Sequence, residues 1–212
     1  RYISVTGVQT CALPILPTPA IGGVGLMADV TRMATVAFKR AGDVIILIGE
    51  TKGHLGQSIY LREIEGREEG AAPKVDLALE KKNGDFVRGL IEAGRVDTVH
   101  DVSDGGLLVA IAEMAMPFGL GANIGLAGLP EAIPFWFGED QGRYVIAAPF
   151  AEAEKIVAEA RAAAITVAEL GKTGGDAITL EDKDSISVSA LKQGFESWFP
   201  SYMAAEEIPV TN

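Results

Sequence analysis

The chain has 212 residues, 48% hydrophobic and 22% charged, with 18 Lys and Arg against 29 Asp and Glu for a net charge of −11. This balance is that of a globular protein, and its acidity argues against nucleic acid as the main partner, because binding phosphate backbones needs clustered cations. No apolar run reaches the ~20 residues of a membrane span, and a single cysteine, Cys11, excludes a disulfide framework and Cys-based zinc sites, so a cytoplasmic setting is expected.

Residues 1–15 read unlike the rest. Val5–Ile15 matches, codon for codon, the translation of a common sequencing-library adapter, and we set residues 1–15 aside as read-through. On that reading Cys11 is not native and the sequence that belongs before Leu16 is replaced. Pro17–Pro19 is an extended entry. Ala20–Met27, small, apolar and glycine-bearing, predicts a buried strand, and Asp29 predicts a helical turn over Val30–Phe38. Residues 16–40 read as the end of a preceding domain and a connection, residues 41–200 as the main domain, and residues 201–212 as a flexible tail.

After the turn at Ala41–Asp43, the aliphatic run Val44–Ile48 predicts a strand buried on both faces. It enters the glycine-rich loop Gly49–Ser58, and a helical pattern, Ile59–Ile64, follows. A buried strand, a glycine loop and a helix start can cradle a phosphate, although no Walker or dinucleotide motif is present. Glu63–Gly70 reads as an exposed connection. Asp76 predicts the N-cap of a helix over Leu77–Ala93, stopped by Gly94, with Leu79, Asn83, Phe86, Val87, Leu90 and Ile91 on one face.

The β-type segment Arg95–Val102 runs into Val-His-Asp-Val-Ser-Asp-Gly-Gly at 99–106, and then into the helical run Leu107–Met116. This second strand–turn–helix also offers free amides to an anion. Taken alone, it is better satisfied by Ser103 or Asp104 capping the helix and the two glycines allowing a tight turn. Gly119–Leu126 predicts a strand, Leu129–Phe135 a short mixed segment, and Phe137–Arg143 a polar loop feeding the strand Tyr144–Ala148. The acidic side chains of that loop suit a ligand or a solvated turn with an Arg143 ion pair. Ala151–Ala164 is a helix and Ile165–Leu170 a strand. Gly171–Gly175 is a turn, and Ala177–Glu181 pairs with Ser185–Val188 as a hairpin. A helix over Ala190–Phe199 carries Phe195, Trp198 and Phe199 as an expected packing anchor, before a loose tail from Ala204. Alternating strands and helices give an α/β (α+β) class, a small mixed β-sheet with packed helices.

Four motifs in this order carry a resemblance: Pro17–Gly22, Gly49–Ser58, His100–Gly106 and Phe137–Arg143. Together they resemble the C-terminal part of the phosphoribosylformylglycinamidine (FGAM) synthase family, small-subunit type, over about Leu16–Phe199. The resemblance implies the C-terminal-domain fold of the aminoimidazole ribonucleotide (AIR) synthase superfamily. It implies an enzyme, a ligase, that uses ATP and Mg²⁺ to activate the amide oxygen of formylglycinamide ribonucleotide, after which ammonia displaces phosphate in purine biosynthesis. It also implies a glutaminase subunit and a small accessory subunit as partners, with no nucleic acid or membrane. The family chain has two similar halves, and the reacting histidine lies in the first.

The resemblance therefore assigns no catalytic residue and no metal ligand here. It makes Gly53, His54, Gly56, Gln57, Ser58, His100, Asp101, Ser103, Asp104, Gly105, Gly106, Glu139, Asp140 and Gln141 candidate nucleotide- or phosphate-binding residues of a pseudo-symmetric second site. Asp140 stands where the family usually has Ser. The three loops are expected to cluster, and this chain alone is expected to be inactive. Related alternatives are selenophosphate synthetase, thiamine-phosphate kinase, AIR synthase itself, or a non-catalytic nucleotide-binding or scaffold domain.

Overall fold

The computed structural model describes residues 22–125, 132–181 and 183–204. The chain divides after Val30. Of the first unit, residues 22–29 have no regular structure, and Val24 and Leu26 are fully exposed. The strand expected at Ala20–Met27 is therefore absent from its described part. A Cβ placed on Gly22, Gly23 or Gly25 would meet nothing within 4 Å beyond the adjoining residues, so this apolar stretch packs against no partner strand. The Pro17–Ile21 end of the first motif lies outside the described residues.

The second unit is built on one mixed sheet. Its strands are β1 (Val44–Ile48), β2 (Thr98–Asp101), β3 (Ala122–Ile124), β4 (Tyr144–Ala148), β5 (Val167–Thr173), β6 (Ala177–Leu180) and β7 (Asp184–Ser187), in the order β2-β4-β1-β5-β3-β6-β7. All neighbours are antiparallel except β3 and β6. The helices are α1 (Ile59–Glu63), α2 (Leu77–Glu92), α3 (Gly106–Ala115), α4 (Ala132–Phe137), α5 (Phe150–Ala162) and α6 (Val188–Ala204).

Every residue of β1 is buried, and its alternation divides the core in two. Ile45 and Leu47 join Val145, Leu170, Leu107, Ile111, Met114 and Trp136 on the face carrying α3 and α4. Val44, Ile46 and Ile48 join Ile146, Val87, Leu90, Ile156 and Val157 on the face carrying α2 and α5. Each such aliphatic side chain contributes about 1.5–3 kcal/mol of burial. The result is a helix–sheet–helix sandwich, as the continuous apolar run at 44–48 requires.

Three local expectations are corrected. The helical turn at Val30–Phe38 shrinks to a 3₁₀ turn, Val30–Arg32. Beyond it Thr35 leaves the helical path to bridge Thr98, donating its amide to Asp97 O at 3.0 Å and accepting from Val99 N at 3.0 Å. The turn at Gly171–Gly175 begins late, because Gly171 and Lys172 pair with both β1 and β3 and extend β5 to Thr173. The aromatic anchor is no anchor: α6 runs on to Ala204, and Phe195, Trp198 and Phe199 are exposed, with Trp198 stacked on Tyr202 at 5.3 Å. Among the described residues Val188 is the one buried residue of α6, so the helix reaches the core through its first turn. Residues 205–212 of the expected tail lie outside the described residues.

Candidate functional site: a knot of three loops

The strand order brings the three loops together. β4 lies between β1 and β2 and runs antiparallel to both. Tyr144, at its start, is therefore opposite Ile48 at the end of β1 and Asp101 at the end of β2. The chain leaves β1 into residues 49–58, leaves β2 into 102–105, and enters β4 from 138–143, all at one edge of the sheet. Main-chain bonds stitch the loops: Val102 N donates to Arg143 O at 2.9 Å, and Glu139 N donates to His54 O at 2.8 Å.

Two acidic side chains complete the knot. Asp140, 7% exposed, accepts at Oδ2 from Lys52 N at 3.0 Å and Gly53 N at 2.9 Å, and His54 N approaches its Oδ1 at 3.3 Å. Glu139 Oε1 accepts from Ile59 N and from Gly105 N, both at 2.8 Å. Ile59 opens α1 and Gly105 is the N-cap of α3, so one carboxylate oxygen serves the positive ends of two helices. Neither Ser103 nor Asp104 caps α3, which has no side-chain cap bond. Ser58 caps α1, its Oγ accepting from Leu61 N at 3.3 Å.

Arg143 lies beneath this cluster, 1% exposed. Its Nε donates to Asp140 O at 3.1 Å, one terminal nitrogen to Gly138 O at 2.6 Å and the other to Thr51 Oγ1 at 3.1 Å. Burial pushes its pKa down, while the nearby Asp140 and Glu139 carboxylates push it up, and a guanidinium remains charged. The solvated ion pair weighed for Arg143 is replaced by a buried cation holding loop carbonyls. Glycine is required where the loops touch. Gly53 has φ +75°, and a Cβ there would lie 2.6 Å from Pro134 Cβ; Gly106 has φ +77°, and a Cβ would lie 2.7 Å from Gly138 O.

Beside the knot is a cleft of about 520 Å³ lined by Lys52, Gly53, His54, Lys74, Glu80, Asp140 and Gln141, among others. His54 Nε2 lies 2.8 Å from Ala71 O, and Gln57 reaches Gly70 O at 3.0 Å, so both side chains hold the 66–72 connection. His100 goes elsewhere. Its Nε2 lies 2.8 Å from Glu113 Oε2 on α3, and it faces a separate hollow lined by Met116, Lys192 and Phe195. Asp101, Ser103 and Asp104 are exposed beside the knot. Thus Gly53, His54, Gly105, Gly106, Glu139 and Asp140 meet, Gly56, Gln57 and Ser58 flank them, Gln141 reaches the cleft, and His100 stays apart.

Sequence reasoning missed Lys74 and Glu80. Their nearness to the site follows from Asp76 starting α2 beside it, a helix start legible in the sequence without its address. Among the described residues no group of three or more His, Cys, Asp or Glu is placed to hold a metal ion, and no helix is long and apolar enough to cross a membrane.

Comparison with known proteins adds a relationship to this geometry. The profile of the family described as "AIR synthase related protein, C-terminal domain" matches residues 40–183. The chain is 53% identical over 197 residues, 92% of its length, to phosphoribosylformylglycinamidine synthase subunit PurL of Bradyrhizobium sp. strain BTAi1, covering 27% of that protein. It is 54% identical over 199 residues, again 92% of its length, to the same subunit of Nitrobacter hamburgensis, covering 26%. The chain thus spans about a quarter of the length of these relatives.

Among solved structures, Thermotoga maritima PurL complexed with FGAR superposes with a TM-score of 0.64 at 19% identity, over 77% of this chain and 30% of that one. Escherichia coli HypE, a hydrogenase maturation protein, gives 0.50 at 19% identity, over 73% of this chain and 51% of that one. At these identities the likeness is one of fold.

Proposed function

The chain belongs to the AIR synthase related protein family, through that family's C-terminal domain, and from that premise we propose that it is the C-terminal part of an FGAM synthase. The whole enzyme, on this reading, uses ATP to activate the amide oxygen of formylglycinamide ribonucleotide and then adds ammonia. The observation that carries the reading is the identity of about half, over nearly the whole chain, to proteins named as that enzyme's PurL subunit. HypE shares the fold at 19% identity and gives no reason to prefer another acceptor.

This chain's share of the work is structural. Its three-loop knot is the non-reacting counterpart of a phosphate site, and the groups gathered there hold loops rather than move protons. Mg²⁺ does not fit the residues present. Glu139 and Asp140 turn oxygens toward backbone amides, and among the described residues no group of three or more His, Cys, Asp or Glu is placed to hold a metal ion. Thermotoga maritima PurL, which shares the fold, has been solved in complex with ATP and with ADP, and as the PurLQS assembly. By extension, ATP, a glutaminase subunit and a small accessory subunit belong to the full-length enzyme.

The test is an assay of the full-length protein that contains this segment. Production of FGAM and phosphate that depends on ATP, formylglycinamide ribonucleotide and ammonia is expected, with none from residues 1–212 alone. Phosphoryl transfer to selenide or thiamine phosphate instead, or turnover by the isolated chain, overturns the reading.

A further inference from the structure

A strand–glycine loop–helix segment attracts an anion because its amides point one way and have no partner. In this chain those amides are already engaged. Lys52 N, Gly53 N and His54 N converge on the Asp140 carboxylate, and Ile59 N and Gly105 N on that of Glu139. The arrangement is fixed from behind, because Arg143 donates to the main chain of Asp140 and Gly138 and Glu139 N returns a bond to His54 O. A phosphoryl group approaching residues 52–54 meets a nearly buried carboxylate where it needs donors. Displacing that carboxylate breaks charge-assisted bonds and puts two anions side by side.

We propose that Asp140 is the resident anion of this cradle and the residue that determines its specificity: it stands in for a phosphoryl group and excludes one from the amides of residues 52–54. The cleft alongside fits that role, since Glu50, Asp76 and Glu80 outnumber Lys52 and Lys74 on its walls. The inference rests on reading the knot as the non-reacting counterpart of a phosphate site. Its test measures binding rather than turnover, so it fails separately from the FGAM synthase assignment.

The experiment titrates the ¹⁵N-labelled chain and its Asp140→Ala variant with inorganic phosphate, against chloride at matched ionic strength, and follows the amides of residues 52, 53 and 54. Wild type is expected to show no phosphate-specific shift there. The variant is expected to bind phosphate on those amides at least about tenfold more tightly, the equivalent of one charge-assisted hydrogen bond, and to melt at a higher temperature in phosphate than in chloride. Asp140→Asn keeps the side-chain shape and removes the charge, and covers the case in which the alanine variant does not fold. Phosphate-specific shifts at 52–54 in wild type overturn the proposal, and so does a folded variant that gains no phosphate binding.

Discussion

The two ends of the sheet are both closed by charged side chains, but by opposite means. At the site end, Glu139, Asp140 and Arg143 bond mainly to the main chain: carboxylates to amides, guanidinium to carbonyls. At the other end, charges bond mainly to each other. Arg40 grips Asp97 with two parallel bonds of 2.8 and 3.1 Å and donates to Asp43 at 3.0 Å, while Lys39 also reaches Asp97. Arg143 is buried, whereas the Arg40 and Asp97 side chains are 46% and 42% exposed. Ion pairs facing water are weakened by solvent and salt, whereas a buried charge aimed at loop dipoles fixes the backbone and is costly to remove. The first arrangement ties down three irregular loops; the second clips together segments that the sheet already orders.

The comparison breaks first at Arg143. Arg143→Leu leaves loop carbonyls unpaired and two carboxylates without their nearest cation. Urea unfolding is expected to show a loss of about 3–5 kcal/mol, and a loss below about 1 kcal/mol contradicts the keystone role. Glu139→Ala strips the amides of Ile59 and Gly105 of their acceptor and is expected to cost about 2 kcal/mol, with little dependence on salt.

Asp97→Ala, at the opposite end, is expected to cost about 1 kcal/mol or less, a difference shrinking further in high salt. It also carries a pH signature. The bond from Arg40 holds the Asp97 carboxyl below its usual range. Its contribution is therefore full above about pH 4 and lost as pH falls through the lowered folded-state value. Burial pushes neighbouring Asp43 the other way, and both proteins keep Asp43, so the pH signature is read from the difference between wild type and Asp97→Ala in an acid titration of stability. The wild-type advantage should disappear in acid; an advantage that persists there sinks the assignment. The smallest effect is expected at α6, where Trp198→Ser should change the stability of the chain by about 0.5 kcal/mol or less, because its ring is exposed.

Elements with a strong local signal were legible in the sequence. Val44–Ile48 read as a two-faced strand because nothing but aliphatics stands there, and Asp76 announced α2 by capping Ala78 N and Leu79 N. That three loops meet was also legible, through motif order and resemblance. Their internal wiring was not. Nothing in Gly-Glu-Asp-Gln-Gly tells that Asp140 turns to residues 52–54, more than eighty positions back, because that direction is set by the register of β4 against β1. The aromatics of α6 misled for the converse reason: helical spacing shows that a face is apolar, but not what lies opposite it. Thr35 misled because a single tertiary pairing outweighed weak local helix signals.

The place of β4 between β1 and β2 has a consequence for the order of events during synthesis. The two flanking strands are never neighbours of each other, so the ribosome delivers both, with their loops, well before the strand that joins them. Residues 49–58 and 102–105 remain unconnected until residues 138–148 have emerged and inserted. Non-local pairings of this kind form slowly, because loop-closure entropy is lost before contacts repay it. The knot cannot close before residues 138–143 have emerged, and a chain stalled before Gly138 would carry both glycine loops while lacking Glu139, Asp140 and Arg143, the side chains that organise them.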